Sequence, residues 1–169
     1  MRLFLLPIVE LLSLTWAACS SSDENTDSGK LEPTPQSEPT RTVIRANVIA
    51  ISVSGSPGSY NFQVTIKSDE TGCGQYADWW EVLSPEGQLI YRRVLLHSHD
   101  TEHPFTRSGG PVDIQPDDAV ILRAHMNIVG YEGIVYRGSV QGGFEAAELP
   151  DGFADDVGKQ EPQPSGCAF

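Results

Sequence analysis

Strict two-residue alternation is the feature that most limits what this chain can fold into. In Tyr60-Asn61-Phe62-Gln63-Val64-Thr65-Ile66-Lys67 every second residue is apolar and the intervening ones are polar. Successive side chains on a strand point to opposite faces, so this pattern predicts a half-buried strand. Val120, Leu122, Ala124, Met126 and Ile128 mark one face of a second strand, with Arg123, His125 and Asn127 on the other. Ile134, Tyr136 and Val140 suggest a third, and Val48 to Val53 a fourth. Trp79 to Leu83 and Leu89 to Leu96 form a hairpin around the turn Ser84-Pro85-Glu86-Gly87. Gly55-Ser56-Pro57-Gly58-Ser59 and Ser108-Gly109-Gly110-Pro111 read as further turns. No segment keeps a helical period over three turns. Short strands at this spacing predict an all-β fold, an antiparallel immunoglobulin-like β-sandwich, over residues 43–141. Trp79 and Trp80 are adjacent, so they point to opposite faces: one fills the core, and the other is a surface contact or lies under a tail.

The ends of the chain differ from this middle. Residues 1–18 read as a secretory signal: Arg2, then a short apolar run from Leu3, too short to span a bilayer. Ala17 and Ala18 lead into Cys19. This resembles the lipobox of bacterial lipoproteins, in which a small residue precedes a cysteine that receives acyl chains. The resemblance implies cleavage before Cys19 and a lipid anchor in the bilayer. Trp16 departs from it, standing where the family usually has Leu, and Pro7 and Glu10 interrupt the apolar run. An ordinary cleaved signal, with Thr15 and Ala17 at the cut, is the alternative. Ser20 directly after the cysteine is similar to outer-membrane lipoproteins, which implies that location.

Residues 19–42 are acidic, Ser-rich and Pro-rich and have little to bury, so they are expected to be a disordered tether. Residues 142–169 become acidic and Gly/Pro-containing again and are expected to be a loosely structured tail. The net charge is -12, most of it in these two end segments. An acidic chain argues against nucleic acid, which calls for a basic stripe. It is otherwise read as ordinary solubility. The sequence identifies neither a protein nor a glycan partner. Of three cysteines, an acylated Cys19 leaves Cys73 and Cys167, which an oxidising compartment would pair as a disulfide or leave as two free thiols.

The densest chemistry lies in His97-Ser98-His99-Asp100-Thr101-Glu102-His103. On a strand, positions i and i+2 share a face, so His97 and His99 can aim two imidazoles at one point, as a Zn²⁺ or Cu²⁺ site requires. His103, Glu102, Asp100 or His125 would complete the shell. The competing reading is a polar strand end whose histidines bond loop carbonyls. Arg107 and Glu81 are a candidate buried ion pair. No G-x-S-x-G, H-E-x-x-H or P-loop motif occurs.

Two segments carry a second resemblance: Tyr76-Ala77-Asp78-Trp79-Trp80-Glu81-Val82-Leu83-Ser84-Pro85-Glu86-Gly87, and His97 to Ser108 with its Pro104-Phe105-Thr106-Arg107-Ser108. They are similar to a group of small exported bacterial proteins of unassigned function, which share YADxWEVLxPxG and HxHxxExPFTRS segments. The resemblance runs from Tyr60 to about Gly133. It implies a common fold and no particular activity. His103 stands where the group tends to have Gln, and Val129 where a His is usual. The expectation is a lipid-anchored, non-enzymatic binding or structural module of the cell envelope, with a Zn- or Cu-binding lipoprotein as the alternative.

Overall fold

A computed structural model describes residues 43–168. The signal, Cys19 and the tether lie outside the described residues. The strands are β1 (Ala46–Ser56), β2 (Ser59–Ser68), β3 (Ala77–Leu83), β4 (Leu89–Val94), β5 (Phe105–Val112), β6 (Val120–Met126), β7 (Val135–Ser139) and β8 (Gly143–Ala147). They form a three-stranded sheet, β1-β2-β5, and a five-stranded sheet, β4-β3-β6-β7-β8, all antiparallel. The first seven strands follow the immunoglobulin-like order, and β8 is added at the edge.

The core lies between the sheets, where the alternation predicts it. Phe62, Val64 and Ile66 of β2 face Trp80 and Val82 of β3 and Val120, Leu122 and Met126 of β6, all 0–1 % exposed. Each such side chain contributes roughly 1.5–3 kcal/mol by leaving water. The β3–β4 turn closes as expected, with Gly87 N donating to Ser84 O at 2.9 Å. The two tryptophans divide between faces: Trp80 lies in the core, and Trp79 is buried on the outer face of the five-stranded sheet.

Three expectations are corrected. Ser108-Gly109-Gly110-Pro111 is not a turn but part of β5. A Cβ on Gly109 would lie 2.8 Å from both Trp80 and Tyr91, so this glycine marks close packing inside a strand. Ile134 precedes β7 and is exposed. The segment after residue 141 is not loose. Residues 143–147 pair with β7 as β8, and a strap from Leu149 onward packs back over the sheet. Val157, in a 3₁₀ turn (Asp155–Lys159), is 2 % exposed and joins Leu83, Ile121 and Val135 in a second apolar cluster. The apolar residues Leu149, Phe153 and Val157 recur every four residues, a signal hidden among carboxylates.

Cys73 and Cys167 are joined by a disulfide that spans 94 residues and fixes the far end of the strap to the β2–β3 loop. In the chain-entropy model a loop of that length contributes about 4–5 kcal/mol.

Candidate functional site

The outer face of the five-stranded sheet carries charge where the inner face carries hydrocarbon. Alternation along β3 and β6 turns Trp79, Glu81, Arg123 and His125 outward. Glu81 is fully buried, and its two oxygens are shared between two arginines. Arg92 donates through Nε at 2.9 Å and Nη2 at 2.7 Å, and Arg123 through Nε at 2.8 Å. The remaining guanidinium donors hold the strap by its main chain. Arg92 bonds the carbonyls of Val157, Gln160 and Pro162, and Arg123 those of Phe153 and Ala154. The expected Arg107–Glu81 pair is therefore not formed. Arg107 instead pairs with Glu102 at 2.8 Å.

Beside this network the strap and the β6–β7 loop enclose a cleft of about 640 Å³. The β3–β6 ladder skips a register between Ala77 and Trp79, leaving Asp78 as the unpaired residue. Such a bulge re-aims a side chain. Here the Asp78 carboxylate meets His125 Nδ1 at 2.6 Å. The His125 ring lies flat on Trp79, with centroids 3.7 Å apart, and meets the edge of Tyr131 at 4.7 Å. Its free Nε2 faces Gly130, where a Cβ would stand 4.0 Å away. Trp79 also carries the Arg92 guanidinium at 4.4 Å, and Arg123 lies 3.4 Å over Tyr131. Burial, reinforced by Glu81, holds the Tyr131 phenol protonated, well above its ordinary value. With Asp78 fixing Nδ1, the cleft offers an oriented ring nitrogen, aromatic surface, and the carboxylates of Glu132, Asp151 and Asp155. Among the described residues the lining contains no Ser, Thr or Cys.

The histidine segment lies elsewhere. β4 ends at Val94, so His97 and His99 sit in the β4–β5 loop rather than on a strand. Their rings are 4.5 Å apart. His97 is exposed, whereas His99 is 3 % exposed and stacked on Phe105 at 3.8 Å. Neither His99 nitrogen has a hydrogen-bond partner. Burial and Arg107 lower its pKa to about 4, so the ring is neutral. The nearby Glu70 carboxylate is occupied by Ser68 Oγ (2.7 Å), Ser98 Oγ (2.9 Å) and the amides of Ala77 and His99. Glu102 is held below the usual carboxylate range by its bond to Arg107. His103 and Asp100 are exposed. His125 is bound to Asp78 instead. Among the described residues no three His, Cys, Asp or Glu side chains are grouped to hold a metal.

Sequence reasoning placed Glu81 in a buried ion pair but gave it the wrong partner, and it missed Arg92 and Arg123. A signal for the network was present: Glu81 and Arg123 each interrupt a run of apolar residues in a strand that is buried on both faces.

No family model matches the chain. No solved structure matches it either. The chain is similar to a Halomicrobium mukohataei protein named "Putative lipoprotein", with 38 % identity over 116 residues. The match covers 63 % of this chain and 57 % of that protein, so the chain spans little more than half of its relative's length.

Proposed function

We propose that this chain is a lipid-anchored, non-enzymatic binding module of the cell envelope. Cys19 carries the lipid, and the strap-covered cleft takes the ligand. The cysteine after Ala17-Ala18 and the name of the similar protein support the anchor. Ser20 favours the outer membrane. The observation that carries the binding role is the cleft itself, with His125 oriented by Asp78 beside Trp79 and Tyr131. A concave site with a few oriented polar groups beside aromatic surface is a usual form of ligand site, and here the wall is more polar than apolar, which suits a polar ligand such as a glycan or peptide.

The test is nuclear magnetic resonance of the full chain against pools of small glycans and short peptides. Shifts are expected at the Trp79 indole, His125, Tyr131 and Phe153. His125→Ala should weaken a retained ligand by about tenfold, the loss expected for one oriented hydrogen bond. Shifts confined to residues 97–103, or none anywhere, would contradict the reading.

A second reading, Zn or Cu held by His97 and His99, has the 4.5 Å ring separation in its favour. It lacks a third donor among the described residues.

A further inference from the structure

Seven large apolar side chains are exposed among the described residues: Val43, Ile49, Ile90, Leu96, Ile128, Val129 and Ile134. Scattered singly, exposed apolar residues are ordinary. These are not scattered. The antiparallel registers place the start of β1, the end of β2, the start of β3, the end of β4, the end of β6 and the start of β7 at one end of the sandwich. Val43, Leu96, Ile128, Val129 and Ile134 all belong to the segments at that end, and Ile49 is the bulged residue just inside it. Ile90, beside the β3–β4 turn, is the exception.

The segments at this end are tied to one another. Arg45 and Asp69 bond through their main chains, with Asp69 N donating to Arg45 O at 3.0 Å. Ile134 N donates to the Asn47 side chain at 2.9 Å, and Asn127 N to Tyr76 O at 3.1 Å. Ala168 N bonds Leu96 O. The apolar tips therefore project from a braced base.

The chain that leads back to Cys19 joins the domain at Val43, at this same end. Twenty-four residues can extend at most about 80 Å and impose no minimum separation, so contact with the bilayer is within reach. The charge here is not of the kind that attracts anionic lipid: Asp69, Asp100, Glu102 and Glu132 outnumber Arg45, Lys67 and Arg107. Any affinity is apolar.

We propose that this end is a bilayer-contacting face, with Leu96, Ile128 and Val129 entering the phospholipid interface once the anchor holds the domain nearby. The inference rests on the lipid anchor proposed above. Apolar side chains on interfacial segments bury to a depth of about 5–10 Å at the headgroup boundary. Alone the face is weak; beside an acylated cysteine it acts at high effective concentration.

The test uses the full acylated chain reconstituted into phosphatidylcholine vesicles, with an environment-sensitive nitrobenzoxadiazole label on Ile128→Cys. Asp117→Cys, in the exposed β5–β6 loop at the opposite end, is the control. Emission at position 128 should rise about twofold or more on the vesicles and be quenched by doxyl-labelled lipid, with position 117 unchanged. Adding Leu96→Ser and Val129→Ser should remove most of the gain. Because these side chains are exposed, the fold should tolerate the changes. If the protein floats with the vesicles but position 128 stays aqueous, this inference fails and the anchor stands. If the protein does not float, both fall. A gain that appears only after envelope proteins are added would overturn the lipid face in favour of a protein partner.

Discussion

Glu81→Gln is expected to lower the unfolding free energy by about 3–5 kcal/mol, the usual loss when one partner of a buried ion network is neutralised. Glu81 is fully buried, and Arg92 and Arg123 are 5 % and 2 % exposed. Removing its charge leaves two guanidinium groups without a counter-ion in a water-poor layer. Their other donors are already committed to the carbonyls of Val157, Gln160, Pro162, Phe153 and Ala154. The strap should therefore loosen with the network, and hydrogen exchange from Phe153 to Gln163 should accelerate before the strands exchange. A single domain has about 5–15 kcal/mol in total, so the variant should be near the limit of folding. Urea denaturation of the full chain measures it, with the exposed Asp117→Asn as a control expected within about 0.5 kcal/mol. A loss for Glu81→Gln no larger than the control's would mean that the arginines do not depend on Glu81.

The second large effect is on acid stability. His99 titrates near 4 in the fold against 6.5 in an open chain. Between those values the unfolded chain binds a proton that the folded one refuses, so stability falls as the pH falls. The loss begins below 6.5, is complete below about 4, and amounts to about 3 kcal/mol at 1.36 kcal/mol per pKa unit. The groups facing the ring are Arg107 and His97, which oppose protonation, and Glu70 and Glu102, which favour it. Burial outweighs all of them. His99→Phe keeps the stack on Phe105 and removes the titration. Its denaturation midpoint should therefore vary less between pH 6.5 and 4.5 than that of the native chain. Parallel pH profiles for the two proteins would rule out His99 as the source.

The architecture was legible wherever one face of an element meets water. β2 alternates over its whole length, and its register and burial follow from that. The same rule fails in β3, whose seven residues are all buried. In Ala77-Asp78-Trp79-Trp80-Glu81-Val82-Leu83 a charge among apolar residues is the one sign that the outer face is covered, and it does not say by what, because the cover comes from about seventy residues further on. The strap was illegible for a related reason. It is held through its carbonyls by Arg92 and Arg123, and carbonyls carry no sequence signature. An acidic, Gly/Pro-containing composition describes its solvent side and says nothing of its main chain. Cys167 and the four-residue spacing of Leu149, Phe153 and Val157 were the hints that the end is fastened. The cleft depends on both unseen features, a bulge at Asp78 and a returning strap, so Asp78 with His125 could not be singled out. His97 and His99 drew attention by their spacing, but i, i+2 implies a shared face only on a strand, and β4 stops at Val94.

Whether the protein is lipid-anchored is read most directly from the fate of Cys19. The full-length sequence and its Cys19→Ser variant would be expressed in a host that acylates lipoproteins, then fractionated, with mass analysis of the mature N-terminus. Lipid anchoring at Cys19 predicts a native N-terminus at Cys19 bearing acyl chains and located in the membrane pellet. It predicts an unacylated Cys19→Ser protein in the soluble fraction. Each acyl chain contributes roughly 0.8 kcal/mol per buried CH₂. An unmodified Cys19 in the native protein, or a Cys19→Ser protein that stays in the pellet without lipid, would contradict the lipid anchor.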